Sequence, residues 1–392
     1  MVVDAARSTG AGGFTSRRQL LKSTPALMAL AAGSASAAAQ PAGAGPRPAA
    51  EVGRSEAGLR GRKLIGYMLA HEQFTIPQLL EIGSSASRAG FGLLATSDHF
   101  QPWQSNERHA GEAWVTLAAL GGRAQSSWMG TTVTCPILRY NPAVVAEAFA
   151  SLSQLYPGRI FLGVGSGEAL NEEAATGIWP KWPERWERLV EAIDVIRALW
   201  TGQQVSHRGK YYTVNGKLYD PPPQPIPLLT AANGKKSMRL AGQHGDGLIT
   251  DPLTWKKFKS EWEAGAKSAG KNPADMPVLV EQFVVVGDQQ EARRAAELWR
   301  FLPKGFKKYY NDPDPAAIER QADAEIPLEK IIADWPVGTD PQIHIAALTK
   351  LFDSGATIIN VHSGQQDQQK VIEFYGKSVL PKFAAASSTR FN

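Results

Sequence analysis

The chain has 392 residues, 43% hydrophobic and 20% charged, which is enough apolar mass for a large buried core. Four of its 42 basic residues (Arg7, Arg17, Arg18, Lys22) and one of its 37 acidic residues (Asp4) fall in the first 39 positions. The remainder is close to neutral, so no basic stripe for nucleic acid is expected, and the single cysteine, Cys135, excludes an intramolecular disulfide or a cysteine-built metal cluster.

Ser16-Arg17-Arg18-Gln19-Leu20-Leu21-Lys22 precedes an Ala-rich apolar run from Thr24 to Ala32, then small residues at Ala35-Ser36-Ala37. A twin arginine, a short apolar stretch and an A-x-A-like cleavage site, in that order, read as a twin-arginine export signal over residues 1–39. The run is too short to span a bilayer, and no cysteine follows it to carry a lipid. The expected partner is the twin-arginine translocation machinery, and the expected location is the cell envelope, periplasm or medium. Residues 40–61, rich in Ala, Gly and Pro, are expected to form a disordered linker, and 384–392 a disordered tail.

From Lys63 onward, short apolar runs alternate with amphipathic stretches of helical length. Strands are predicted near 64–70, 91–97, 128–135, 159–165, 226–231, 246–250, 277–286 and 357–361. Helices are predicted near 77–89, 112–124, 142–155, 184–200, 235–243, 254–269, 289–300, 341–354 and 367–378. Eight strands, each followed by a helix, predict one α/β unit over 62–383, a (β/α)₈ barrel without exposed sheet edges. Two stretches exceed the repeat. Residues 203–225 read as a hairpin, and the Pro-rich 302–340 as a long excursion of the kind that forms a lid or substrate wall.

Sites on such barrels lie at the C-terminal ends of the strands. After the second strand comes Ser97-Asp98-His99-Phe100-Gln101-Pro102-Trp103, an anion, a base that titrates near neutrality and an aromatic wall within six positions. A helix cap beside a hydrogen-bonded histidine would account for the same residues. Gly163-Val164-Gly165-Ser166-Gly167-Glu168 follows the fourth strand, and alternate glycines let the backbone approach a flat ring or a phosphate. A tight connection, with Glu168 as a helix-start carboxylate, is the plainer alternative. Ala231-Ala232-Asn233-Gly234-Lys235-Lys236 opens a helix whose free N–H groups and two lysines suit a phosphate.

Together these segments resemble the luciferase-like barrel superfamily, and within it the F420-dependent dehydrogenases. The resemblance covers roughly 62–383. It is carried by 97–103, Arg-Tyr-Asn-Pro at 139–142, Phe-Leu-Gly-Val-Gly-Ser-Gly-Glu-Ala-Leu-Asn at 161–171 and Gly-Asp-Gly at 245–247. Thr-Cys-Pro at 134–136, Leu-Trp-Arg-Phe at 298–301, Val-Gly-Thr-Asp-Pro at 337–341 and the leader are more similar to the exported branch acting on hydroxymycolic acids than to the glucose-6-phosphate branch.

The resemblance implies the deazaflavin coenzyme F420 and a role for each matching residue. His99 would be the base that takes the hydroxyl proton as hydride passes to C5 of the deazaflavin. Trp103 would wall the site, Glu168 would serve the pyrimidine edge of the ring, and Glu72 would be a second carboxylate near the substrate. Asp98, Asn171, Ala231, Asn233 and Gly234 would contact the cofactor, with a cis peptide at Thr132-Val133 beneath its ring. Cys135 stands where the sugar-phosphate branch has a cofactor-binding threonine, and a buried thiol is a weak donor. Asp251, Thr254, Phe283 and Arg300 fall where that branch holds phosphate, in its case with a Thr, two Lys and an Arg.

The expected function is hydride transfer between a non-phosphorylated alcohol, small-molecule or lipid, and F420 in a homodimeric exported enzyme. A sugar-6-phosphate dehydrogenase is the first alternative and an FMN-dependent monooxygenase the second. A non-catalytic exported binding protein is the alternative from another class.

Overall fold

The computed structural model describes residues 58–387, so the expected leader, most of the linker and the last five residues lie outside the described part. Four strands come first: β1 (Leu64–Leu69), β2 (Leu93–Thr96), β3 (Trp128–Thr131) and β4 (Ile160–Val164). The predicted hairpin follows as β5 (Val205–Arg208) and β6 (Thr213–Gly216), an antiparallel pair outside the barrel. Then come β7 (Leu228–Ala231), β8 (Gly247–Thr250), β9 (Val278–Phe283) and β10 (Ile358–His362). The eight parallel strands close in chain order, β10 pairing with β1, so the closed barrel and all eight predicted strands are present.

Strand periodicity explains the layering. Met68, Leu93, Ala95, Phe161, Leu229, Ile249, Leu279 and Ile358 fill the lumen as one cluster. Their neighbours in sequence, among them Tyr67, Leu94, Leu162, Leu228, Leu248, Val280 and Ile359, pack outward against the helices. Strands buried on both faces read as unbroken apolar runs, which is why they stand out in the sequence. Leu59, fully buried, belongs to the lumen cluster. The barrel therefore starts three residues before the expected boundary, because an apolar side chain is needed to fill the lumen.

The outer layer runs α1 (Ile76–Ala89), α2 (Ala113–Leu120), α3 (Pro142–Leu155), α4 (Ala169–Thr176), α5 (Trp182–Trp200), α6 (Lys235–His244), α7 (Pro252–Ser268) and α8 (Gln289–Leu298). The excursion contributes α9 (Pro315–Glu325) and α10 (Leu328–Ile332), followed by α11 (Pro341–Asp353), α12 (Gln368–Phe374) and α13 (Leu380–Ser387). The last helix thus runs past 383, into the expected tail. Four helices start alike. Asn141, Asp251, Asp314 and Asp340 each precede a proline at the first helical position and accept a hydrogen bond from the second residue's N–H.

Helices α6 and α7 touch backbone to backbone. A Cβ on Gly265 would lie 1.9 Å from the Arg239 carbonyl oxygen, and one on Gly242 would lie 2.2 Å from that of Trp262. Alanine is the better helix former by about 1 kcal/mol, but backbone atoms cannot yield to it here. Gly265→Ala is therefore expected to destabilise the protein by about 1–3 kcal/mol, as overpacking does, measured by urea unfolding. A neutral or stabilising result would contradict this close approach.

Candidate active site

The mouth of the barrel is built from the segments that follow each strand. His99, the third residue after β2, has contacts at both ring nitrogens. Its Nδ1 lies 3.1 Å from the Gln101 carbonyl oxygen and 3.3 Å from Asn171 Nδ2. Its Nε2 lies 3.4 Å from Glu72 Oε1. Glu72 is itself oriented, since Ser97 Oγ donates to its Oε2 at 2.6 Å while accepting the His71 N–H at 2.9 Å. Nε2 thus sits beside a carboxylate that the Ser97 hydroxyl holds in place. Trp103 stands 6.0 Å from the imidazole, centroid to centroid, and stacks on Phe301 at 4.5 Å.

Asp98 is buried and fully engaged. Thr134 Oγ1 donates to its Oδ2 at 2.6 Å, while Arg139 Nη2 at 2.8 Å and Tyr140 OH at 3.2 Å donate to Oδ1. The Arg139 backbone N–H donates to Glu172 Oε2 at 2.8 Å, and Trp114 Nε1 donates to Thr134. Asp98 thus ties the loop bearing His99 to the segment after β3 and to α4. Glu172 carries no separate signal in the sequence. Thr134 and the Arg-Tyr pair are visible there, yet only the fold brings them to Asp98. Burial pushes the Glu107 carboxyl well above its usual range, and the nearby charge of Glu72 adds to the rise.

Next to this network lies a cavity of about 320 Å³, floored by Val133, Gly165 and Gly167 and bounded by Glu168, Ala231, Asn233 and Gly234. The Thr132-Val133 peptide is cis, as the resemblance implies. A Cβ on Gly165 would meet the Val133 side chain at 2.7 Å, so the floor is flat only because glycine forms it. Glu168 occupies the cap position of α4 without capping it, and its Oε2 instead faces Asn171 Nδ2 at 3.3 Å. Asn171 Oδ1 accepts the Phe100 N–H at 2.8 Å, which orders the loop bearing the histidine. Arg185 Nε and Trp186 Nε1 are buried donors without a partner, and both residues line the cavity together with Lys235 and Lys236. A flat floor and spare donors fit a planar ring with polar edges and an anionic extension. Cys135 is buried behind Gly167, and burial pushes its thiol well above the usual range.

Residues 63–357 match the family model described as luciferase-like monooxygenase. The chain belongs to that family. It is 45% identical over 321 residues to an F420-dependent hydroxymycolic acid dehydrogenase of Mycobacterium tuberculosis, covering 81% of this chain and 88% of that protein. It is 37% identical over 324 residues to an F420-dependent glucose-6-phosphate dehydrogenase of Microbacterium testaceum, covering 81% and 96%. The solved structure of an F420-dependent secondary alcohol dehydrogenase, in complex with an F420–acetone adduct, superposes with a TM-score of 0.77 at 31% identity, covering 81% of this chain and 98% of that one.

The remaining wall of this luciferase-like barrel lies beyond β8 and β9. Asp251 caps α7, accepting the Leu253 and Thr254 N–H groups at 2.9 Å each, and Thr254 is buried at the same helix start. Phe283 stacks on Trp335 at 5.1 Å, within a cluster that also holds Trp103, Trp299 and Phe301. Arg300 turns to α9, 2.6 Å from Asp323 Oδ1, and also approaches Glu297. The structure thus gathers His99, Glu72, Trp103, Glu168 and Asn171 at one mouth and puts Phe283 in the aromatic cluster around Trp103. It commits Asp251 Oδ1 and Arg300 Nη1 to structural contacts.

Burial raises the Glu172 carboxyl to about 7, against the Arg139 N–H and guanidinium, which pull it down. Stability tied to its proton is complete below the ordinary value of 4.5 and is lost as pH rises through about 7. Glu172→Gln, which cannot ionise, should match the wild type at pH 4 and exceed it at pH 8 by on the order of 2 kcal/mol, or about 4 °C in Tm. Thermal unfolding across pH checks this, and a difference independent of pH would refute it.

Proposed function

We propose that this protein is an exported F420-dependent alcohol dehydrogenase acting on an uncharged secondary alcohol, of which a hydroxylated lipid is one form. The observation that carries the reading is His99, its Nδ1 near the Gln101 carbonyl and its Nε2 beside Glu72, linked through Asn171 to Glu168 on the rim of a glycine-floored cavity. When bound, the deazaflavin supplies the hydride acceptor. The chain's own residues do the rest. Nε2 of His99 takes the hydroxyl proton, and Glu72, kept in place by Ser97, stabilises the imidazolium. Trp103 and its stacked partner Phe301 hold the alcohol's apolar part and exclude water. Glu168 and Asn171 present a carboxylate and an amide to the edge of the cavity. Export by the twin-arginine route is supported by Ser16 to Lys22 and the small residues at Ala35-Ser36-Ala37. A homodimer is the proposed assembly, in line with Val115 and Val144, exposed on α2 and α3.

An uncharged substrate is favoured because Asp251 and Arg300 are spent on a helix cap and an ion pair, and Phe283 is aromatic. Lys256 and Lys257 are exposed on α7, with Lys257 over the Phe258 ring. With no cation offered to a phosphate in place of two expected lysines, glucose 6-phosphate should bind roughly 100-fold more weakly than in an enzyme built for it.

Purified protein incubated with F420 and a panel of alcohols should bleach the oxidised deazaflavin absorbance with uncharged secondary alcohols. FMN and NAD should bind poorly. Low-micromolar KM for glucose 6-phosphate would restore the sugar-phosphate reading, and preferential FMN binding the monooxygenase one. His99→Ala should keep cofactor affinity and lower kcat by about 10²–10⁴-fold, and undiminished turnover would remove His99 from the mechanism. Fractionation of cells expressing the Arg17→Lys, Arg18→Lys protein should find it retained inside, and normal export would end the leader assignment.

A further inference from the structure

The substrate side of the mouth holds a titratable pair that proton transfer does not use. His362, the last residue of β10, is 1% exposed, and its Nδ1 lies 2.6 Å from Glu281 Oε1. Leu279 and Ile358 lie in the lumen, and the side-chain period of two sends Glu281, Phe283, Asn360 and His362 the same way. The imidazole stacks on Phe283 with centroids 4.1 Å apart and meets Trp299 edge to face at 4.4 Å and 78°. Trp299 Nε1 donates to Gln73 Oε1 at 3.0 Å, and Gln73 Nε2 donates to the Gly364 carbonyl at 3.1 Å. Gln73 is the residue after Glu72.

Contacts between rings are weakly directional, so an aromatic wall alone can slide and tilt. A short hydrogen bond from an imidazole to a carboxylate is directional and strong where water is scarce. His362 Nε2 is buried without a hydrogen-bond partner, so Glu281 supplies the polar contact that orients the ring. That orientation passes by stacking to Phe283 and Trp299, and by the indole hydrogen bond to Gln73.

We propose that Glu281 and His362 form a positioning pair that sets the planes of Phe283 and Trp299, and with them the shape of the alcohol pocket. The pair determines which alcohols bind and leaves proton transfer at His99 untouched. This rests on the dehydrogenase reading above.

Three variants and two readouts test it. Glu281→Gln keeps an acceptor for the imidazole N–H, Glu281→Leu removes it, and His362→Phe keeps a ring but loses the bond. Glu281→Leu and His362→Phe should raise KM for the best alcohol by about 10-fold, with kcat within about 2-fold and F420 affinity unchanged, while Glu281→Gln stays near wild type. In protein labelled with ¹⁵N-tryptophan, the Trp299 indole signal, assigned with Trp299→Phe, should move in those two variants and stay put in Glu281→Gln. Unchanged KM, an unmoved indole signal, or an equal loss of kcat and cofactor affinity would overturn the proposal. Should the wild type oxidise no alcohol, the dehydrogenase reading fails on its own. The indole signal would still decide whether the pair orients the wall.

Discussion

Asp98 and Arg139 meet at 2.8 Å where both side chains are nearly shielded from water, with Thr134 and Tyr140 completing the carboxylate's shell. Burying two charges is costly, and the cost is offset only when geometry is good and every lone pair finds a donor. Here the pair joins three segments distant in sequence: the loop after β2, the turn after β3 and the start of α4. The His99 loop, the floor of the cavity and Glu168 all hang from those segments. The ionic contact therefore links their placement, and removing one partner would leave the other charge stranded in the wall.

Around that anchor the mouth divides by polarity. One side offers glycine backbone, amides and unpaired buried donors, and the other offers stacked rings. His99 sits at the boundary, its Nδ1 beside a carbonyl two residues away and its Nε2 beside a carboxylate from the loop after β1.

The barrel was legible because its strands are buried on both faces, leaving apolar runs at regular spacing. Helix α4 was not read, since eight residues with weak amphipathicity give little periodic signal. Helix α9 hid in a Pro-rich stretch, although Asp314-Pro315 is the same start that marks α7 and α11. The same pattern explains Asp251, whose position beside Pro252 identifies it as a cap before any comparison with phosphate sites. His99, Trp103 and Glu168 could be picked out because they follow strands and match a known pattern. The partners of Asp98 could not, since Arg139 reaches it across 41 residues and no local rule links the two. His362 and Glu281 lie on separate strands and become a pair only through the register of β9 and β10.

The excursion that yields α9 and α10 packs Ile318, Ala322, Ile326 and Leu328 against the cluster containing Trp103, Phe301 and Tyr309. His99, Glu72 and the glycine floor come from the first half of the barrel, while the aromatic wall takes much of its backing from one late segment. An inherited change in residues 302–340 can therefore shift the aromatic wall while His99, Glu72 and the floor are passed on intact. Reaction and diet can diversify on separate evolutionary clocks.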